Sequence, residues 1–459
     1  MDQSNADTTS DSSRTARNSP PTNVRWTIFA LACGTSFLLY LHRYSWNIIG
    51  PRLQDEFSFT NTQTAFLFSL FYYTYAAGQI PSGIVIDRFG PHRILTGMIA
   101  AWSVAVAGIA HTGNMFLLGF WRLLFGATQA GCYPALTKIS QQWFPVAQRT
   151  VLQGWVATTF GRAGGAMSPI IIGTLLIGYC GLSWQLAVTL TGGIGIALCV
   201  TFFLLFRDSP RQDSRVNEAE RHLIAEGSLS QSGSADSVTG LPLRQALRNR
   251  SLQFFTVQQF LDAGSDVVFV GLIGTYFLVA HDFDIKQTGW LASLPLFGGA
   301  LGGIVGGWLN DILIRRTGNR RWARSGVGFV GKVTGCAMLA LVVIQSDGVT
   351  AAWLLMAAKF FSDWSQPTTW GTCTDLGGRF SATVFSMINT AGTIGGVLMP
   401  IIFGVILDWF TTLSVVDGAE VKTTDWNPLF VLLSAMYLAS GFCWLLVDCT
   451  NRLYEPTDR

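Results

Sequence analysis

Twelve long apolar stretches fill this chain, near residues 26–49, 62–86, 94–111, 115–141, 151–178, 183–206, 252–280, 288–314, 324–345, 351–373, 381–409 and 427–448. A hydrocarbon core of about 30 Å is crossed by about 20 apolar residues rising ~1.5 Å each in a helix. Lipid offers backbone N–H and C=O groups no partners, so such stretches satisfy them internally as α-helices. The expectation is an all-α membrane protein. Composition agrees: 12% of residues are charged, against about 25% in soluble domains. The net charge of +3 and the lack of a basic run exclude a nucleic-acid arm. The eight cysteines form no CxxC pair and read as small packing residues, so no metal site and no cofactor are expected. Residues 1–24 are rich in Ser, Thr, Asp and Asn, and read as a disordered tail.

Loop arginines and lysines set the orientation. Arg14, Arg17 and Arg25 precede the first span. Arg88, Arg93, Arg149, Arg315, Arg316, Arg320, Arg321 and Arg379 fall on the same side. So do seven arginines in 207–250, while the opposite loops hold only Arg52, Lys286 and Lys422. Both termini are therefore expected in the cytoplasm, with the protein in the cell (inner) membrane as a monomer. The polar 207–250 segment reads as a linker between two six-helix units, 25–206 and 251–449, with 450–459 as a second tail.

The two units echo one another. Gly161, Gly164, Gly165, Pro169 and Gly173 recur as Gly392, Gly395, Gly396, Pro400 and Gly404 at a constant offset of 231. Gly83 and Asp87 recur as Gly307 and Asp311 at an offset of 224. Small residues at this spacing let helices approach closely. Six-span repeats of one orientation build carriers whose substrate site lies between the halves near mid-membrane.

After the second span the chain reads Gly83-Ile-Val-Ile-Asp87-Arg88-Phe-Gly90-Pro-His-Arg93. This resembles the major facilitator superfamily signature GxxxDRxGxxR at every defining position. Gly83 permits close packing. Asp87, Arg88, Gly90 and Arg93 form a charged turn suited to latching one conformation. The resemblance implies twelve transmembrane helices in two pseudo-symmetric six-helix bundles.

Further residues narrow it. Tyr40-Leu-His42-Arg43, Pro51 and Glu56-Phe57 lie in the first span. Tyr75, Gln79 and Pro81 lie in the second. Arg122, Gly126, Gln129 and Pro134 lie in the fourth, with Asn389 in the eleventh. Together they are similar to the anion:cation symporter family of hexuronate, galactonate and sialin-like carriers. That resemblance implies organic-anion uptake coupled to a cation, a proton or sodium. Arg43 would bind the substrate carboxylate, and Tyr75 and Asn389 would bond its hydroxyls or acid group. Thr369 and Trp370 would close one side, and Arg122 would sit near the coupling site. Two departures stand out: the family's acidic positions hold His42 and Gln129, which puts standard proton symport in doubt.

Ionisable residues at membrane depth are costly and mark function. Arg43 and Arg122 each lie roughly 10 Å below the outer ends of their spans. They are expected to face one outward-opening cavity, with Arg162 near mid-membrane completing a positive lining. A guanidinium's planar fork matches a carboxylate. Asp262 and Asp266 share a face of the seventh span. They stand either as a replacement proton carrier or as fixed partners of Arg162 or Arg122. Lys359 and Asp363 are expected to pair. His42 either titrates or packs, and Gln258 and Gln259 are candidate hydroxyl ligands. The expected function is transport of a small organic anion, a sugar acid, by alternating access. An uncoupled facilitator or exchanger and a non-transporting sensor are the alternatives. No zinc-protease, Walker or nucleophile-elbow motif supports an enzyme.

Overall fold

The computed structural model describes residues 20–145, 148, 152–225, 246–377, 381–416, 419–451 and 453. Arg14, Arg17, Arg149, Arg379 and the Asp87 side chain lie outside what is described, as do most of both tails and 226–245 of the linker.

Among the described residues, twelve helical rods occupy the twelve expected spans. In the first half they are α1 (Val24–Tyr44 continued by Trp46–Phe57), α2 (Asn61–Phe89) and α3 (Pro91–Ala110). Then come α4 (Met115–Gln129 and Cys132–Trp143), α5 (Leu152–Tyr179) and α6 (Trp184–Leu205). The second half holds α7 (Arg250–Gly271 and Ile273–Ala280), α8 (Ile285–Thr317) and α9 (Arg320–Val343). It ends with α10 (Gly348–Ser362 and Ser365–Gly377), α11 (Ser381–Trp409) and α12 (Asn427–Leu446). Eight rods are each long and apolar enough to cross a membrane, nine with the 47° bend of α7 counted as one span. Of the remaining three, α4 and α10 are each split into two shorter helices, of 15 and 12 and of 15 and 13 residues, and α2 carries polar residues along its length. Pro169 cannot donate to the helix ladder, and α5 widens into a π-helical stretch directly after it, Ile170–Tyr179. Side chains start many rods: Thr60 and Gln63 form a capping box on α2, while Asn249, Asp284 and Asp347 cap α7, α8 and α10.

Two findings depart from the sequence expectation. A hairpin, β1 (Thr411–Val416) with β2 (Ala419–Thr424), joins α11 to α12, with Thr411 opposite Thr424. The expected tail also ends earlier than residue 24. Glu220, on a short linker helix (Glu218–Ala225), is fully buried. Its carboxylate accepts from Thr22 Oγ1 (2.5 Å), Val24 N (3.1 Å) and Arg25 N (3.0 Å). A carboxylate there satisfies free N–H groups at the start of α1 and complements its dipole. The linker thus begins as a clamp on the first half. Arg215 bonds Asp213 beside it and holds that carboxyl below the usual carboxylate range.

The repeated glycines act as paired contacts. A Cβ on Gly164 of α5 would strike the Phe37 carbonyl of α1, and one on Gly395 of α11 would strike the Phe260 carbonyl of α7 at 2.5 Å. The same offsets join the halves. Gly173 of α5 lies against Gly289 of α8, and Gly404 of α11 lies against Ala65 of α2. Gly173 and Gly404 differ by 231, and Ala65 and Gly289 by 224. One pseudo-twofold contact therefore closes the bundle at the end away from the linker. Asp408 of α11 adds to it by accepting from Asn61 N (2.9 Å) and Thr62 N (2.8 Å) at the start of α2. Thr174 Oγ1 donates to the Lys286 carbonyl (2.8 Å), and Asn47 Nδ2 to that of Phe269 (3.0 Å). Among the described residues no hydrogen bond or ion pair joins the halves at the linker end. The described cross-half contacts thus gather at the far end.

Candidate functional site

Arg43 ends the first segment of α1, just before the break at Ser45, whose Oγ donates to the His42 carbonyl (2.7 Å). Its Nε and Nη2 donate to Gln129 Oε1 on α4 at 3.2 and 3.1 Å. Gln129 Nε2 donates in turn to the Leu39 carbonyl, which fixes the amide with its oxygen towards the arginine. The guanidinium lies over Phe71 (4.8 Å), Tyr75 (4.8 Å) and Tyr40 (5.1 Å). Glycines on α5 make room for this aromatic wall: Gly161 abuts Tyr40 and Tyr133, and Gly165 abuts Tyr44. Among the described residues Arg43 has no carboxylate partner, and it is half-buried. Among the described residues two of its N–H groups find acceptors, which leaves the others able to meet an anion.

Arg122 corrects the expectation of a shared cavity. It is 3% exposed. Its Nε and Nη2 donate to the carbonyls of Leu67 (3.0 Å) and Phe68 (2.8 Å) on α2. Its guanidinium stacks on Trp46 at 4.3 Å and lies 5.5 Å from the Phe71 ring. Glycine makes this possible, because a Cβ on Gly126 would strike the Phe71 carbonyl and hold α4 away. Arg122 is thus a buried positive charge behind the Arg43 wall, not part of an open lining.

The second half supplies a charge network. Arg162 of α5 donates through Nη1 to Asp363 Oδ2 (3.0 Å) and to the Gly299 carbonyl (2.9 Å). Lys359 Nζ donates to Asp363 Oδ1 (2.6 Å), the pairing expected from the sequence, and to both oxygens of Asp266 (2.7 and 2.8 Å). Asp262 turns elsewhere and pairs with Lys332 of α9, which also donates to Ser362 Oγ (2.6 Å). Neither aspartate is the direct partner of Arg162 or Arg122. Lys332 was the missed residue, although a lone lysine in an apolar span is a clear signal.

Several other candidates sit away from open space. His42 is buried, and its Nε2–H donates to the Thr191 carbonyl of α6 (3.0 Å). Gln258 is buried inside the second half beside Asp262 and Ser440. The Thr369 hydroxyl is buried and donates to the Ser365 carbonyl (3.1 Å). By contrast Trp370 is exposed and stacks on Phe385 at 4.3 Å. Asn389 is exposed two helical turns from Gly396, whose position packs on Tyr72 across the halves. Gln259 flanks Gly392 on that side.

At the latch motif Gly83 has open space around it, which corrects the expectation of close packing there, and Arg88 and Arg93 are exposed. Gly90 has φ 82°, a conformation that favours glycine. Asp208, at the start of the linker, accepts from His92 N (2.8 Å) and so fixes this turn to α6. The corresponding end of the second half carries Arg324 on Asp375 (2.7 Å) with Arg320 nearby (3.8 Å).

Comparison with known proteins agrees with the architecture. The family model described as Major Facilitator Superfamily matches residues 32–400. A probable sulfoacetate transporter, SauU, of Cupriavidus necator is 30% identical over 384 residues, covering 84% of this chain and 87% of that one. A probable galactarate/D-glucarate transporter, GudP, of Bacillus subtilis is 27% identical over 441 residues, 93% and 92% of the two chains. In structure, a bacterial homologue of the human lysosomal transporter Spinster, inward-facing and unoccupied, superposes with a TM-score of 0.69 at 15% identity, covering 93% of this chain and 95% of that one. The chain belongs to the Major Facilitator Superfamily and is a multi-pass membrane transporter, not an enzyme.

Proposed function

We propose that this protein is a secondary carrier for small organic anions, with sugar acids as the leading substrate class. It works by rocker-switch alternating access in the cell (inner) membrane, as a monomer with both termini in the cytoplasm. One observation carries the proposal: Arg43 is half-buried, free of any described carboxylate, and backed by a tyrosine-lined wall. A guanidinium so placed binds a carboxylate or sulfonate through its free N–H groups, while Tyr75 and Asn389 serve the hydroxyls. Relatives whose names specify sulfoacetate, galactarate or glucarate, and L-galactonate support an acidic cargo. The glycine contacts that join α5 to α8 and α2 to α11 support rocking, because they hold one end closed without covalent or bulky obstruction.

The test is uptake of radiolabelled galactarate, L-galactonate and sulfoacetate into liposomes holding the purified protein. Wild type takes up at least one acid. Arg43→Ala takes up none while remaining monodisperse, and Arg43→Lys retains only a small fraction because it lacks the planar fork. Normal uptake by Arg43→Ala rejects the site; no uptake of any acid by wild type rejects the carrier.

A further inference from the structure

We propose that Asp266 is the proton-carrying group that couples transport in this chain, acting through Lys359, Asp363 and Arg162. This rests on the carrier assignment above and adds a coupling site to it. No carboxylate neighbours Arg43 among the described residues, and His42 is sealed against α6. Away from the rod ends three carboxylates remain among the described residues, Asp262, Asp266 and Asp363, all in the second half. They differ in what surrounds them. The Asp262 side chain is 1% exposed and is fixed by Lys332 and the Gln258 and Gln366 amides. The Asp363 side chain is 2% exposed and is held by two cations, Lys359 and Arg162. Asp266 is 30% exposed and has a single cation partner, Lys359, which it shares with Asp363. It alone of the three combines access to open space with an incomplete set of partners.

The charged groups facing Asp266 are Lys359 and Asp363 on α10, Asp262 on its own helix and Lys332 on α9. Arg162 of α5 reaches the same network, and Tyr44 of α1 and Tyr437 of α12 approach it from either side. Lys332 and Asp262 cancel. Arg162, Lys359, Asp266 and Asp363 also cancel when all are ionised. One proton taken from water onto an Asp266 oxygen displaces one Lys359 N–H···O contact and leaves the tetrad with one surplus positive charge. Like-charge and opposite-charge effects are strong in this low-dielectric interior, so the surplus charge favours an anion in the adjoining space. By linkage the bound anion favours the proton equally, which is the thermodynamic content of symport. The network also touches the moving interface. Arg162–Asp363 is the one ion pair between the halves among the described residues. Once Asp266 is neutral, Asp363 is the sole ionised partner of Lys359 and is shared between it and Arg162. Proton loading therefore weakens the central tie between the two units and prepares them to rock.

The experiment compares wild type, Asp266→Asn and Asp266→Glu in liposomes, using the labelled acid that wild type transports best. Wild type accumulates the acid under an imposed proton gradient, and its exchange of labelled for unlabelled acid depends on pH. Asp266→Asn loses about 10-fold or more of the gradient-driven accumulation, a loss in the range of ordinary coupling free energies. Its exchange no longer varies with pH. Asp266→Glu restores both properties in part. A second measurement needs no variant: adding the acid to wild type in weakly buffered detergent draws protons from solution, as read by a pH dye. Gradient-driven accumulation by a folded Asp266→Asn variant, or no proton uptake on anion binding to wild type, overturns the coupling site while leaving the carrier intact. Failure of wild type to move any acid overturns both.

Discussion

The far-end closure makes a quantitative prediction at Gly289. A Cβ built there meets Thr174 Oγ1, with the Pro169 carbonyl oxygen at 2.6 Å and the Thr174 nitrogen at 2.9 Å. Two of these three are backbone atoms of α5 and cannot swing away. Gly289→Ala therefore overpacks the contact, at about 1–3 kcal/mol. In a single rigid core that cost would appear as lost stability. Here the strained atoms lie on opposite halves, and pivoting the halves apart at the far end relieves the strain. The equilibrium between far-closed and far-open forms then shifts by about 5- to 150-fold. Ser293 reports it, since it is fully buried one turn along α8 from Gly289. In a variant lacking the eight native cysteines, Ser293→Cys should react with a membrane-impermeant maleimide faster by that factor when Gly289→Ala is added. Gly326→Ala, where a Cβ meets nothing within 4 Å, should leave the rate unchanged. An unchanged labelling rate in a monodisperse Gly289→Ala protein would refute the idea that this glycine contact sets the far gate.

Asp408→Ala removes the charged acceptor from two N–H groups of α2, at about 1.5–3 kcal/mol for each bond to a charged group. Spin labels at the far ends of α2 and α11 should then show a longer distance population. Gln129→Glu places a carboxylate against Arg43. Once ionised it competes with the cargo, so anion affinity should fall about 10-fold as pH rises from acidic to neutral. Wild type carries no such group beside Arg43, and equilibrium binding at both pH values gives the comparison. Lys332→Met leaves Asp262 buried without a cation, at about 3–5 kcal/mol. The variant should unfold at a markedly lower temperature in detergent, and Lys332→Met with Asp262→Leu should recover most of the loss.

The fold was legible because its strongest constraints are local. Lipid forces each long apolar run into a helix, so even α4 and α10, broken at Ala130 and Asp363, could be located from apolarity and length. The 231 and 224 offsets were legible as repeats, yet their meaning was not. Only in three dimensions do Gly173 and Gly289 prove to be one contact and Gly404 and Ala65 its counterpart. The hairpin after α11 lies outside the long apolar runs, where hydropathy carries no strand signal. The Asp417-Gly418 pair between Thr- and Val-rich runs was the available signal.

The site was legible as a set of residue types and illegible as a set of pairings. Hydropathy marks Arg43 and Arg122 alike, because each is a guanidinium in an apolar span at similar depth. What separates them is the neighbouring helix. Gly126 brings α2 close enough for the Leu67 and Phe68 carbonyls to satisfy Arg122, whereas Arg43 meets only one neutral amide and a set of rings. Likewise the spacing of Asp262 and Asp266 predicts a shared face, but four residues in a helix turn through about 400°. That extra 40° is enough to send one to Lys332 and the other to Lys359. Arg122 has its charge met by two backbone carbonyls, whereas Arg43 has one neutral amide, and the proposed anion site rests on that contrast. The difference lies in long-range packing, which sets the surroundings of Arg43 apart from those of Arg122.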